Sequence, residues 1–564
     1  MPEKKPSPPV EGEGRTRRRK SDPQSSSPSM PTRQAANGKR PAKRQRSSLR
    51  AGLAVLGGRA AGAFSRRLHL GGGTSITGIV AQRLYPDIVS HLSTQLAYGS
   101  VLVTGTNGKT TTSGFIAAIL SDAGLRVWRN REGSNLMRGI AGALVIRAQP
   151  NGNLRRSGQA ISIFEVDEAV VPQIVQKVPL RVAVFNNLFR DQLDRYGEVD
   201  TVASRWEQAI RVLPESTILV LNADDPAIAH LGKSYPGKVV YFGIDDASLD
   251  LAVQGNSSDR HQTIDTRTCI QCGSDLTYTM RFYSHLGHYI CSNCGNARPP
   301  ADVRAISVTI NAFDQMRITV ATPTQQGEIV IPLPGFYNIY NALAAIAAAQ
   351  ALQINWEPIV SGIQQFKPAF GRGERVQIGG RTIRILLAKN PTGFNEVLRT
   401  LFSEGEKRHM LVMLNDNIAD GRDVSWIWDV DFERMVRHTE TLTVTGTRAF
   451  DLALRLKYAG IAAQDMQLIP IAPLSSTNKS ALPARAGKPG LRGSISGRTI
   501  VERPASIPRG KRPYGLAYAL DTALQQTPTG ETLFVVPTYT GLLELHRELE
   551  RRGLTPHYWE EKGP

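Results

Sequence analysis

The chain has 564 residues, 41% of them hydrophobic, with 68 Lys and Arg against 49 Asp and Glu and a formal charge of +19. That length allows three or four domains with full cores. No apolar run approaches the roughly 18–20 residues that span a bilayer, and four cysteines are too few for a disulfide scaffold.

A charge this high is a usual mark of a nucleic-acid binder, so its location matters. Residues 1–50 hold 14 Lys and Arg against four acids, and residues 474–513 hold nine against one, leaving +1 for everything else. Both segments are rich in Pro, Gly and Ser without apolar periodicity, and read as disordered: a basic tail and a flexible insertion. A nearly neutral body argues against nucleic acid. The apolar stretch 51–64 lies too deep and is too broken by Gly and Arg to be a signal peptide.

From Ser100, short β-branched runs alternate with helical spacing. Strands are expected at Val101–Thr104, Ile161–Val166, Val182–Asn186, Ile218–Leu221 and Val239–Gly243, with a helix over Thr110–Ala123 ended by Gly124. Such alternation predicts an α/β fold with a mostly parallel, doubly wound sheet. Between the first strand and helix runs Gly105-Thr106-Asn107-Gly108-Lys109-Thr110-Thr111-Thr112. A Gly-rich turn there points backbone N–H groups at a phosphate. Lys109 would neutralise terminal phosphate oxygens and Thr110 would ligate Mg²⁺. The next strand ends in Glu165, with Asp167 and Glu168 beyond. Carboxylates at that sheet edge border the ligand crevice, and Mg²⁺ takes oxygen ligands; Glu168 reads equally as the acid of a helix start.

Cys269, Cys272, Cys291 and Cys294 form C-x₂-C-x₁₈-C-x₂-C and are all the cysteines of the chain. The spacing suits a closed, structural Zn²⁺ ribbon over about 262–300, with Tyr278, Phe282, Tyr283 and Tyr289 packing over it. Short strands across Arg304–Pro332 then suggest an antiparallel extension, followed by an alanine-rich helix, Asn338–Leu352. After about Gly371 a second, Rossmann-like α/β unit is expected, with strands at Ile383–Leu387, Met410–Leu414, Leu442–Thr445 and Leu533–Pro537. The helix Thr540–Arg552 closes it with Leu542, Leu543, Leu545 and Leu549 on one side. The expected division is 1–50, 51–370 and 371–564.

Five motifs in order resemble the Mur ligase superfamily of ATP-dependent amide-bond ligases. They are the loop 105–112, Asn187-Leu-Phe-Arg-Asp191-Gln192-Leu-Asp194-Arg195, Asn222-Ala-Asp224-Asp225-Pro226, Gly335-Phe-Tyr-Asn338-Ile-Tyr-Asn341, and Gly371-Arg372-Gly-Glu374. The resemblance implies ATP as substrate, with Asn338, Asn341 and Arg372 at the nucleotide. Gln192 stands where most of these ligases have a metal-site His, and Leu386–Pro391 replaces their D-D-Y-A-H element. These departures, the cysteine pattern and the loop Leu414–Asp429 are similar to the MurT branch of the superfamily.

That branch implies amidation of the D-glutamate α-carboxyl of the lipid II stem peptide, with ammonia from a GatD-like glutaminase subunit. Asp423, in the Gly421-Arg422-Asp423 triplet, would complete that partner's Cys-His-Asp set, and Asp416 and Asp420 would contact substrate or partner. Read without the resemblance, the same loop is a solvated stretch of Asx-turns. Two rivals remain: a self-sufficient Mur or folylpolyglutamate-type amino-acid ligase, and a nucleic-acid-associated zinc-ribbon ATPase. The chain is expected in the cytoplasm, with the basic segments either drawn to anionic lipid at the inner membrane face or acting as solvated linkers.

Overall fold

Alternate residues of the central strand Ser100–Thr104 face two different layers, because side chains of a strand point to opposite faces. Val101 and Val103 enter one apolar layer and Leu102 the other. The computed structural model that shows this describes residues 49–67, 74–130, 134–190, 199–251, 266–311, 315–367, 372–402, 405–471 and 514–555. Asp191, Gln192, Asp194, Arg195 and Gly371, the side chain of Arg372, the tail before Leu49 and the 474–513 insertion lie outside the described residues.

The first sheet has nine strands. In spatial order these are Arg126–Arg129, Ala160–Glu165, Ser100–Thr104, Leu180–Phe185, Ile218–Asn222, Val239–Ile244, Val303–Asn311, Gln315–Ala321 and Gln326–Ile331. Neighbours are parallel through Val303–Asn311, and the last two strands run antiparallel on its edge. The expected strands are therefore present, and the antiparallel extension continues the same sheet. Helices Lys109–Asp122, Tyr337–Ala351 and Trp356–Gln364 cover one face. Leu49–Arg67, Thr74–Leu84 and Met137–Arg147 belong to the other.

The first two of those latter helices were not anticipated. Leu49–Arg67 begins inside the stretch assigned to the tail, and its Gly52, Gly57, Gly58 and Gly62 depress helix propensity. The glycines serve close packing: a Cβ on Gly58 would lie 2.7 Å from the Thr77 carbonyl oxygen.

The second sheet has six strands in the order Arg372–Ile378, Arg381–Leu386, Thr532–Pro537, Arg408–Met413, Thr439–Gly446 and Met466–Pro470; only the first is antiparallel to its neighbour. In the closing helix Tyr539–Arg551, Leu542, Leu545 and Leu549 are buried, whereas Leu543 is only partly covered. One residue from Leu542 is about 100° around the helix, so Leu543 leaves the stripe.

The cysteine segment forms an antiparallel hairpin, Leu276–Tyr283 with Leu286–Cys291. Tyr278 and Tyr289 pack on each other within it. Phe282 and Tyr283 do not cover it: they join the main core, where Tyr283 meets Phe336 and Tyr340.

Candidate active site

The parallel register places the ends of three strands side by side. Val103 pairs with Glu165 and Thr104 with Phe185, so the loop after Thr104 emerges between Glu165 and Asn186. Gly105 and Gly108 both have positive φ, 138° and 82°, which only glycine adopts without strain. Gly108 precedes the helix Lys109–Asp122, whose first turn has no side-chain cap. Its backbone N–H groups are thus left for an anion.

Around this loop the polar groups converge. Lys109 Nζ donates to the carbonyls of Gly105 and Thr106 and pairs with Glu168 at 2.8 Å, buried. Thr110 Oγ1 donates to Glu165 Oε1 at 2.8 Å. Glu168 starts a short turn after Asp167, whose carboxylate accepts from the Ala169 N–H. Asn341 accepts from Thr112 Oγ1 at 3.3 Å and donates to Asn338 Oδ1 at 2.9 Å, fixing the start of the alanine-rich helix against the loop. Thr106 Oγ1 bonds the Phe189 backbone, and Asn187 Oδ1 accepts from the Asn107 N–H. Thr111 is buried at the first helical turn. Lys109, Thr110, Glu165, Glu168, Asn338 and Asn341 are therefore brought together at one sheet edge.

Asp224 and Asp225 serve the frame. Asp224 is fully buried and accepts from Arg298, the Ile244 N–H and Tyr340. Asp225 caps the helix Pro226–Leu231 and accepts from the Leu188 N–H.

Two asparagines were not singled out from sequence. Asn130 clasps Glu165, accepting from its N–H and donating to its carbonyl, both at 2.9 Å. Its signal was a polar residue just past an edge strand at the crevice side of the sheet. Asn390 caps the helix Pro391–Leu401 and exchanges hydrogen bonds with Asn107, Nδ2 to Oδ1 at 3.0 Å. Through it the second sheet's loop touches the phosphate loop. Arg190 and Asp429 make a second link at 3.6 Å.

The loop after Arg408–Met413 has its own anchors. Asp420 is buried and accepts from the N–H and hydroxyl of Thr540; burial pushes its carboxyl upward. Asp416 accepts from Thr447. Asp423 is exposed, and a hydrogen bond from the Ser425 N–H holds it below the usual carboxylate range.

The four cysteines converge: all four Sγ atoms lie within 4.8 Å, with Cys269–Cys294 at 3.6 Å and Cys272–Cys291 at 3.5 Å. Hydrogen bonding to Ser274 lowers the Cys272 thiol to about 6. Four thiolates at these separations are compatible with a tetrahedral metal site.

A phosphate loop on a mixed nine-stranded sheet, touched by a second sheet's loop, defines the Mur-type ligase fold. A pseudomurein peptide ligase type C from Methanothermus fervidus shares it, with a TM-score of 0.55 at 22% identity over 80% of this chain and 79% of that one. The "Mur ligase middle domain" pattern matches residues 103–297, and the "MurT ligase C-terminal" pattern matches residues 387–481. The lipid II isoglutaminyl synthase (glutamine-hydrolyzing) subunit MurT of Staphylococcus aureus (strain COL) is 34% identical over 72% of this chain and 87% of its own length. Its counterpart from Streptococcus pneumoniae (strain ATCC BAA-255 / R6) is 33% identical over 74% and 89%. The chain belongs to the MurT family.

Proposed function

We propose that this protein is the ligase subunit of a lipid II amidating enzyme. It would convert the α-carboxylate of the stem-peptide D-glutamate to an acyl phosphate with ATP. Ammonia then displaces phosphate, leaving D-isoglutamine, ADP and inorganic phosphate. Activation is needed because the oxygen of a carboxylate is a poor leaving group. What carries the reading is the meeting of Lys109, Thr110 and Glu165 at the uncapped helix start in a chain of this family.

Lys109 would trade its contacts with Glu168 and the loop carbonyls for charge on the transferring phosphoryl group. The loop from Gly105 to Thr111 would cradle the nucleotide phosphates, with Asn338, Asn341 and Arg372 at the nucleotide. Thr110 and Glu165, with Glu168 as a third candidate, would hold a Mg²⁺ whose charge offsets that of the phosphates. The four cysteines would hold one structural Zn²⁺.

Ammonia is mostly protonated near neutral pH, so a protected supply helps. With all four cysteines gathered in one cluster, the chain offers no separate thiol to hydrolyse glutamine. A GatD-like subunit would bring the Cys and His, and the exposed, readily ionised Asp423 would orient that imidazole.

The test is amidation of lipid II by this chain co-expressed with a glutaminase. Asp423→Asn should lower the glutamine-driven rate by on the order of 10⁴-fold and spare the rate with added ammonia. An unchanged glutamine-driven rate would remove Asp423 from the triad. A parent complex that fails to amidate even with ammonia would remove the ligase assignment.

A further inference from the structure

The helix Leu49–Arg67 is inverted relative to an ordinary surface helix, which turns its large apolar side chains inward. Toward the protein it buries Ala51, Ala54, Val55, Gly58, Gly62 and Ser65. Outward it presents Leu49, Leu53, Leu56 and Phe64, which are 86, 65, 50 and 65% exposed. At 3.6 residues per turn these four fall within an arc of about 80°, opposite the buried set. Leu84 of the adjoining helix, itself half exposed, extends the stripe beside Gly57. Arg50, Arg66 and Arg67 are exposed around it.

We propose that this face seats on the surface of an anionic lipid bilayer. The four apolar side chains would enter the boundary between headgroups and acyl chains, and the arginines would meet lipid phosphates. The charge selects this occupant. Between Leu49 and Pro86 the sequence has five Arg and no acidic residue at all. An apolar protein groove would take the leucines without requiring that bias, and nucleic acid would use the cations while leaving the leucine stripe in water. The helix would lie on the bilayer, since none of the described helices is long and apolar enough to cross one.

The surface is also tied to the site. Thr74–Leu84, on which the helix leans, presses Gly78 against the Arg138 carbonyl of Met137–Arg147. That last helix follows Ser134 and Asn135, whose carbonyls accept from Asn130 and from the Asp167 N–H. The binding does not depend on the ligase reading; only the idea that a lipid-linked substrate is met there rests on it.

Flotation of the full chain with vesicles of phosphatidylcholine, alone or mixed with phosphatidylglycerol, tests the assignment. The parent should float with the anionic vesicles and remain behind with the neutral ones. The combined variant Leu53→Gln, Leu56→Gln, Phe64→Gln should bind anionic vesicles at least about tenfold more weakly, at an unchanged Tm. Absence of parent flotation, or parent-like flotation of the variant, would overturn the proposal. So would a variant that keeps its vesicles but loses its glutaminase subunit, because the face would then be a protein interface. Loss of amidation in detergent solution, where no bilayer is present, would count against the ligase reading and leave this one standing.

Discussion

Replacing Gly108 by alanine tests the packing of the phosphate loop against the alanine-rich helix. Gly108 has φ 82° and ψ −6°, a left-handed conformation that costs an L-residue about 1–2 kcal/mol. Its new Cβ would also lie 1.9 Å from Asn341 Oδ1 and 2.9 Å from Asn341 Cγ. That is roughly 1.5 Å short of an ordinary contact, so Asn341 must swing away. It would then loosen its bonds to Thr112 and Asn338, each worth about 0.5–1.5 kcal/mol. The combined cost is about 2–5 kcal/mol, and nucleotide affinity should fall with it. Denaturant unfolding of Gly108→Ala, Asn341→Ala and the double variant separates the two parts. With Asn341 shortened the clash disappears and only the backbone strain remains. The double variant should therefore be less destabilised than the two singles combined, by at least about 1 kcal/mol. Additive costs would show that Asn341 does not confine the loop.

Arg298→Met should destabilise the protein by about 3–5 kcal/mol, because it strands the fully buried Asp224 carboxylate; a change in unfolding free energy below about 1 kcal/mol would contradict that pairing. Glu396 lies in the helix Pro391–Leu401, buried, and burial raises its carboxyl above the ordinary value. A raised folded pKa means stability is highest below the unfolded value of about 4.3 and is lost as pH rises through the folded one. Glu396→Gln should therefore raise Tm at neutral pH, with the gain vanishing below about pH 4; a loss at neutral pH would refute the sign. Metal analysis of the purified protein should give about one Zn²⁺ per chain, and a chelator should release it and shift the Tyr278–Tyr289 fluorescence. A stable, metal-free chain with an unaltered spectrum would refute the zinc assignment.

Local chemistry made much of the site legible in advance. The turn 105–112 needs glycine at particular backbone angles and a lysine and threonine at particular offsets, so its shape and the groups it offers are written in consecutive residues. Glu165 was legible because a strand's last residue sits at the sheet's crevice edge. Asn130 and Asn390 were not, since each is an ordinary asparagine until the sheets bring it to Glu165 or Asn107. Phe282 and Tyr283 misled for a related reason: aromatic spacing says that rings are buried, but not in which core.

The charge shows the same division. From the sequence alone, the net +19 separates into two low-complexity basic segments and an almost neutral body, because charge is a sum over residues. The succession of the expected strands along the chain, the Gly-rich turn and the four-cysteine spacing are likewise local facts. Only the tertiary structure showed that the glycine-broken apolar stretch 51–64, which the sequence rules out as a signal peptide without assigning it a structure, is part of a helix with its small residues inside and its leucines out. Which face of a helix is covered depends on what packs against it, and here Thr74–Leu84 packs against Gly57 and Gly58.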